Sequence, residues 1–234
     1  MIIRSDNSQC RRNYRCIQCP IRSKMFCNFL TNDDLKELSG KVKHKSYTKG
    51  LTVLEKGTDV NYIYNIIEGN IKIYQLDSNG EVHILGFLYP TNFFGSHEGR
   101  KYEYYAETIG HVLLCQIPIN EFHLFLQNNP KIKESFYQTA INELRLARIQ
   151  IGLLSRTTAE ERVTRFLQII ADKQKSYGQP MNPVILPMKR LDIANYLGLT
   201  TETVSRVFSK LRGKHLIRYI DMKCIELGNH LLNQ

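Results

Sequence analysis

LDIANYLGLTTETVSRVFSKLRG, residues 191 to 213, decides how the rest of the chain is read. Apolar Leu191, Ile193, Ala194 and Leu197 recur at helical spacing, and Gly198 breaks the pattern. Thr200 or Thr201 caps a second helix whose buried face carries Val204, Val207, Phe208 and Leu211. Two short helices joined by a Gly-containing turn of about 3–4 residues make a helix-turn-helix, whose second helix enters the DNA major groove. The residues left over from packing are Thr201, Glu202, Ser205, Arg206 and Lys210, and they point outward. Glu202 is suited to accept from cytosine N4, Arg206 to fork onto guanine O6 and N7, and Ser205 to read either class of base. Glu202 and Arg206, four apart, face one way and are placed to hold each other in register. The competing reading is a helical hairpin of some other domain, with Glu202–Arg206 an ordinary surface pair. Turn, cap, apolar face and outward chemistry agree on the DNA reader.

This stretch resembles the helix-turn-helix of the CRP/FNR regulators, and its outward Glu202, Ser205 and Arg206 resemble the FNR branch. CRP-type members usually carry an arginine before that glutamate, where this chain has Thr201. The resemblance implies a palindromic DNA site with half-sites like TTGAT, and RNA polymerase as a further partner.

At 234 residues and a net charge of +10, the chain has room for two modest domains and an excess of positive charge suited to an anionic partner. Residues 1–27 carry six Lys/Arg against one acid and residues 159–234 twelve against seven, while residues 28–158 balance. The excess therefore lies at the two ends, and the C-terminal share coincides with the DNA reader. No run of 18 apolar residues exists to span a membrane, and no apolar core follows Arg11 and Arg12 to make a secretory signal. The expected location is the cytoplasm, where cysteines stay reduced unless they bind something.

Four of the six cysteines, Cys10, Cys16, Cys19 and Cys27, crowd into eighteen residues of a basic leader. Thiolates ligate soft metals, and a C-x-x-C pair turns tightly around one metal or one cluster corner. Three metal-site or redox readings stand beside free thiols. Structural zinc usually takes paired C-x-x-C elements, and this leader has one pair, with Cys27 eight residues beyond Cys19. A redox dithiol lacks the surrounding βαβ pattern. An iron–sulfur cluster requires a remote fourth ligand. The leader resembles that of FNR-type oxygen sensors, in which three N-terminal cysteines and one in the β-rich domain hold a [4Fe–4S] cluster. On that resemblance the ligands are Cys16, Cys19, Cys27 and Cys115, with Cys10 spare or a substitute. Cys224 is read as structural.

From about Lys45 to Pro118 short runs rich in Val, Ile, Tyr and Phe alternate with glycines, as in an antiparallel roll. Asp77-Ser78-Asn79-Gly80 is a turn between two strands. Lys49-Gly50 and Glu68 to Ile71 resemble the cyclic-nucleotide-binding β-roll of the same family. That family's phosphate cassette has Gly-Glu and then Arg-Ser, whereas this chain has Gly95-Ser96 and Tyr102-Glu103. An acid there repels a phosphate, so a cyclic nucleotide is not the expected ligand, although Arg100 stands close by. His83, His97, His111 and His123 show no ligand spacing and are read as ordinary histidines.

Pro130 opens a helix whose apolar residues Phe136, Ala140, Leu144, Ala147, Ile151 and Leu154 step close to a heptad. A palindrome requires a two-fold dimer, so this seam is read as a homodimer interface, with burial on its own roll the alternative for part of it. Arg145 and Arg148 flank the seam and keep pairing marginal. Thr158 and Glu161 fit a capping box, in a stretch resembling the family's S-x-x-x-A-E-E-R. LIRYIDMKCIEL alternates as a two-strand wing, placing Arg218 and Lys223 toward phosphates. The expected α+β architecture is a cysteine-rich cluster-binding segment (1–28), a β-roll or jelly roll (29–128), a dimerisation helix (129–156) and a winged helix-turn-helix (157–234). No nucleophile–base set, paired carboxylates or phosphate loop suggests an enzyme. A metal-binding interaction protein that no longer reads DNA stays open, as does a regulator sensing thiol redox state or a small ligand.

Overall fold

The computed structural model describes residues 16–95, 100–156 and 158–232. Cys10 and the cassette residues Ser96 to Gly99 lie outside them. Three short 3-10 turns, Cys16–Gln18, Arg22–Lys24 and Phe26–Phe29, lead into α1 (Asn32–Lys41). Thr31 opens α1: its hydroxyl accepts from the Asp34 N–H at 3.2 Å, and the Asp34 carboxylate accepts from the Thr31 N–H at 3.0 Å. This reciprocal cap satisfies two of the amides that a helix start leaves without partners.

Eight strands follow: β1 (Lys43–Tyr47), β2 (Thr52–Leu54), β3 (Tyr62–Glu68), β4 (Ile71–Leu76), β5 (Val82–Leu88), β6 (Phe93–Phe94), β7 (Tyr105–Thr108) and β8 (Val112–Pro118). They form two antiparallel sheets, ordered β1-β8-β3-β6 and β2-β7-β4-β5. Tyr47, Leu54, Tyr64, Ile66, Ile71 and Leu114 share one buried cluster within the roll. The β4–β5 turn forms at the expected residues: Asp77 Oδ1 accepts from the amides of Asn79 and Glu81, and Gly80 takes φ 80°.

Helix α2 (Ile119–Asn128) closes the roll, and α3 (Pro130–Arg156) leaves it. The C-terminal part comprises α4 (Ala159–Ser176), β9 (Val184–Ile185), α5 (Arg190–Leu197), α6 (Thr201–Gly213), β10 (Ile217–Tyr219), β11 (Cys224–Leu227) and α7 (Asn229–Leu232). Its sheet runs β10-β11-β9, so the expected two-strand wing gains a third strand. Val163, Phe166, Ile193, Val204, Phe208 and Leu211 form its core, together with Ile84, Phe87 and Tyr89 from the roll.

Two sequence expectations are corrected. Phe136 is buried, stacked on Phe93 at 4.9 Å and edge-on to Phe122 at 5.3 Å, so it belongs to its own roll and not to the seam. Leu191 is 55 % exposed, and its place in the buried face of α5 is taken by Asp192. Asp192 caps α5 by accepting from the Lys189 N–H at 3.0 Å and bridges to Lys72 of β4 at 3.3 Å. A buried carboxylate is stable there because both an amide and an ammonium face it. Among the described residues no helix is long and apolar enough to cross a membrane.

Candidate functional site

The helix-turn-helix is built from local signals. Helix α5 stops at Gly198, whose φ of 61° is the left-handed conformation a side chain resists. Thr200 caps α6, its hydroxyl accepting from the Thr203 N–H at 3.2 Å. Val204, Val207, Phe208 and Leu211 then turn inward, and Glu202, Ser205 and Arg206 stand exposed on the opposite side, with Thr201 half-buried at the start. Ionic and hydroxyl groups thus line one open helix face at base-reading spacing.

Lys210 is also exposed and carries an ion pair. Its ammonium pairs with Glu160 of α4 at 2.6 Å, and Lys214 meets the same carboxylate at 2.6 Å. Arg218 likewise pairs with Glu226 at 2.6 Å across the wing, whereas Lys223 stands exposed beside the wing turn. Sequence reading missed Arg190, whose guanidinium lies 3.4 Å from the Phe208 ring centre and donates to the Tyr219 hydroxyl at 2.7 Å. It joins α5, α6 and β10 through one planar group, and its position just outside the quoted stretch hid it.

The second candidate centre gathers residues nearly a hundred positions apart. Cys16, Cys19 and Cys27 come from the leader and Cys115 from the middle of β8. Cys16 and Cys115 are buried within one apolar cluster with Phe26, Phe122 and Phe136, and Cys27 packs against it. The leader is anchored by the Cys16 N–H donating to Ser39 Oγ at 2.7 Å. Burial first, then the neighbouring Cys16 and Cys19, push the Cys27 thiol up to about 12. Cys115 is held well above the usual thiol range by burial, and Cys27, Cys16 and Cys19 each add to the rise. The leader thiols therefore oppose ionisation of Cys27 and Cys115, and thiolates gathered here need positive charge among them.

The donor set fits a soft-metal centre: four sulfurs, no carboxylate, apolar walls. A single tetrahedral zinc with 2.3 Å bonds would bring its sulfurs to about 3.8 Å of one another. Among the described residues, the grouping whose ligand atoms all lie within 4.8 Å is the exposed Asp77, Glu81 and His83, and not the cysteines. The cysteine donor set is one that a multinuclear cluster or a single soft ion takes.

In the roll, Tyr102 occupies the position where a phosphate-binding side chain is expected. It is buried, and its hydroxyl donates to the Tyr62 carbonyl at 2.8 Å while accepting from the Tyr62 N–H at 3.2 Å. Tyr104 does the same for Gly95, at 3.1 and 2.9 Å.

A β-roll, a long connecting helix and a winged helix-turn-helix with an open polar face define a two-domain DNA-binding regulator. The comparisons agree: a Crp-like helix-turn-helix domain matches residues 161–229, and a cyclic nucleotide-binding domain matches residues 44–129. The nitrogen fixation regulation protein FixK of Bradyrhizobium diazoefficiens is 35 % identical, over 84 % of this chain and 83 % of its own length. The transcriptional activator protein FnrL of Cereibacter sphaeroides is 30 % identical, over 85 % and 82 %. The structure of FixK2 from Bradyrhizobium japonicum superposes with a TM-score of 0.75 at 29 % identity, covering 82 % of this chain and 96 % of that one. The chain belongs to the CRP/FNR family of transcription regulators and is a DNA-binding protein of that type.

Proposed function

We propose that the protein is a homodimeric regulator whose DNA binding is gated by an oxygen-labile [4Fe–4S] cluster held by Cys16, Cys19, Cys27 and Cys115. The observation that carries this is the meeting of Cys16 and Cys27 of the leader with Cys115 in the same buried cluster as Phe136 of α3, with Cys19 near enough to raise the Cys115 thiol. When bound, the cluster supplies a centre that oxygen dismantles. The chain's own residues do the rest. Cys16, Cys19 and Cys27 tie the leader to β8 through Cys115. Phe26 packs edge-on to Phe122 at 5.7 Å, and Phe122 packs on Phe136 at 5.3 Å, so a leader held on the roll supports the start of α3. Beyond Phe136, α3 exposes Ala140, Leu144, Ala147, Ile151 and Leu154, the stripe proposed to pair with a second copy. The pair presents two α6 helices to a palindrome with TTGAT-like half-sites, read by Glu202, Ser205 and Arg206, with Thr201 at the edge. Lys210 serves by holding α6 to α4. Losing the pair forfeits half the contacts, so a small shift in dimer stability becomes a large shift in occupancy.

A thiol-redox sensor without a cluster is less well supported, because burial raises the Cys27 and Cys115 thiols and thiolates are the reactive form. A cyclic nucleotide is not part of the proposal, since the Tyr102 and Tyr104 hydroxyls are committed to backbone where a phosphate would need donors. RNA polymerase as partner and the cytoplasm as location follow from the family reading.

The test is anaerobic purification with iron and acid-labile sulfide analysis, then air exposure while dimerisation and DNA binding are followed. Stoichiometric iron and sulfide, lost in air together with the dimer and its DNA affinity, is the expected result. A colourless protein that resists anaerobic reconstitution and binds DNA equally well in air would overturn the cluster.

A further inference from the structure

We infer that Arg162 is a positioning residue that transmits the placement of α3 to the DNA-reading turn. It stands in the first turns of α4, and its guanidinium donates in two directions. One nitrogen donates to the Leu197 carbonyl at 3.1 Å, the last residue of α5, and another to the Leu154 carbonyl at 2.9 Å, near the end of α3. Both acceptors belong to the final turns of their helices, whose carbonyls lack helical partners and carry the negative end of the helix dipole. A planar fork with five fixed donors is suited to join two such ends, and an ammonium is not.

The reading turn lies beside this joint. A Cβ built on Gly198, the left-handed residue of the turn, would lie 3.7 Å from Leu154 Cδ2 and 3.8 Å from Arg162 Nη1. The turn between the two reading helices is thus a neighbour of the end of α3 and of the arginine itself, at ordinary contact range. Beside Arg162, Glu160 receives Lys210 of α6 and Lys214 just beyond its end, and Glu161 closes the cap with Thr158. One helical turn therefore holds the end of α3, the end of α5 and the far half of α6. Leu154 is also the last residue of the exposed α3 stripe. Whatever fixes that stripe fixes the turn, and through it the direction of α6. The first half of this inference, the joint itself, stands on the monomer alone; the second, its effect on paired half-sites, rests on the dimeric reading above.

The experiment compares the full chain with Arg162→Gln, which is uncharged and reaches one carbonyl at most, and with Arg162→Lys. Hydrogen exchange without DNA reads the joint. The amides of Gly198 and Leu199, both bonded to the Ala194 carbonyl, should exchange about tenfold faster in R162Q, while those of Phe166 to Ile170 keep their rates. Binding to duplexes with two TTGAT-like half-sites, at the best spacing and with one base pair added, reads the consequence. Wild type should discriminate sharply between the spacings; R162Q should lose about tenfold at the best spacing and discriminate little. R162K should resemble R162Q. Unchanged exchange at Gly198, equal acceleration throughout α4, or complete rescue by lysine would overturn the joint. Faster exchange at Gly198 with an unaltered spacing preference would overturn its role in placing α6. A wild type indifferent to spacing, with exchange still altered in R162Q, would count against the dimer and leave the joint supported.

Discussion

Thr158 shows what one side chain contributes where the local sequence already specifies the structure. Its hydroxyl accepts from the Glu161 N–H at 3.3 Å, and its own N–H donates to the Glu161 carboxylate at 2.7 Å. Thr158→Ala should lower unfolding free energy by about 1 kcal/mol in a urea titration, since the capping oxygen is lost and little else; an unaltered midpoint would show the cap to be idle. Arg206→Ala acts on recognition instead. A loss of about 1–3 kcal/mol in affinity, with relaxed preference at one base pair, is expected from fluorescence anisotropy on variant duplexes. Both residues were legible because their partners or their periodicity lie within four positions. The burial of Asp192 was not: its cap on Lys189 is local, but its ammonium partner Lys72 is 120 residues away. The pairing of Lys210 with Glu160 was hidden for the same reason, since the two meet only after folding.

Helix α3 shows the limits of periodicity at the level of an element. Its apolar steps predicted one continuous seam, yet the helix changes environment along its length. Phe136 faces aromatic neighbours of its own roll, while Leu144 is 52 % and Ile151 67 % exposed. A heptad pattern reports that a face is apolar and does not say which surface covers it. Ile151→Glu should leave thermal unfolding of the monomer nearly unchanged, because the residue buries little in the single chain. On the dimeric reading it should also abolish self-association in sedimentation velocity and weaken palindrome binding at least tenfold. Retained dimers would move the interface elsewhere. The wing erred in the other direction: β9 is two residues long, too short to produce an alternation that sequence could show.

Across the whole molecule, the two domains share a core that no segment-by-segment reading foresees. Strand β5 is the outer strand of its sheet, and its Ile84 and Phe87 are buried with residues of the DNA-binding domain. Phe87 meets Phe166 at 6.2 Å and Tyr196 at 5.3 Å, while Lys173 donates to the Phe87 carbonyl at 3.1 Å. The C-terminal domain therefore also meets part of a strand edge, at Phe87, and an edge is the part of a sheet most prone to recruit another chain. A fragment ending at residue 156 should express as aggregates or soluble oligomers by light scattering, and Phe87→Lys should restore a smaller species; a monodisperse, untreated fragment would refute this. The same feature bears on synthesis. The roll leaves the ribosome first, and at about 5–20 residues per second the remaining chain takes roughly 4–15 s to follow. Throughout that interval β5 has no cover, so the nascent regulator passes through a period in which its own unfinished copies, held close together on one messenger, are the nearest strands available to it.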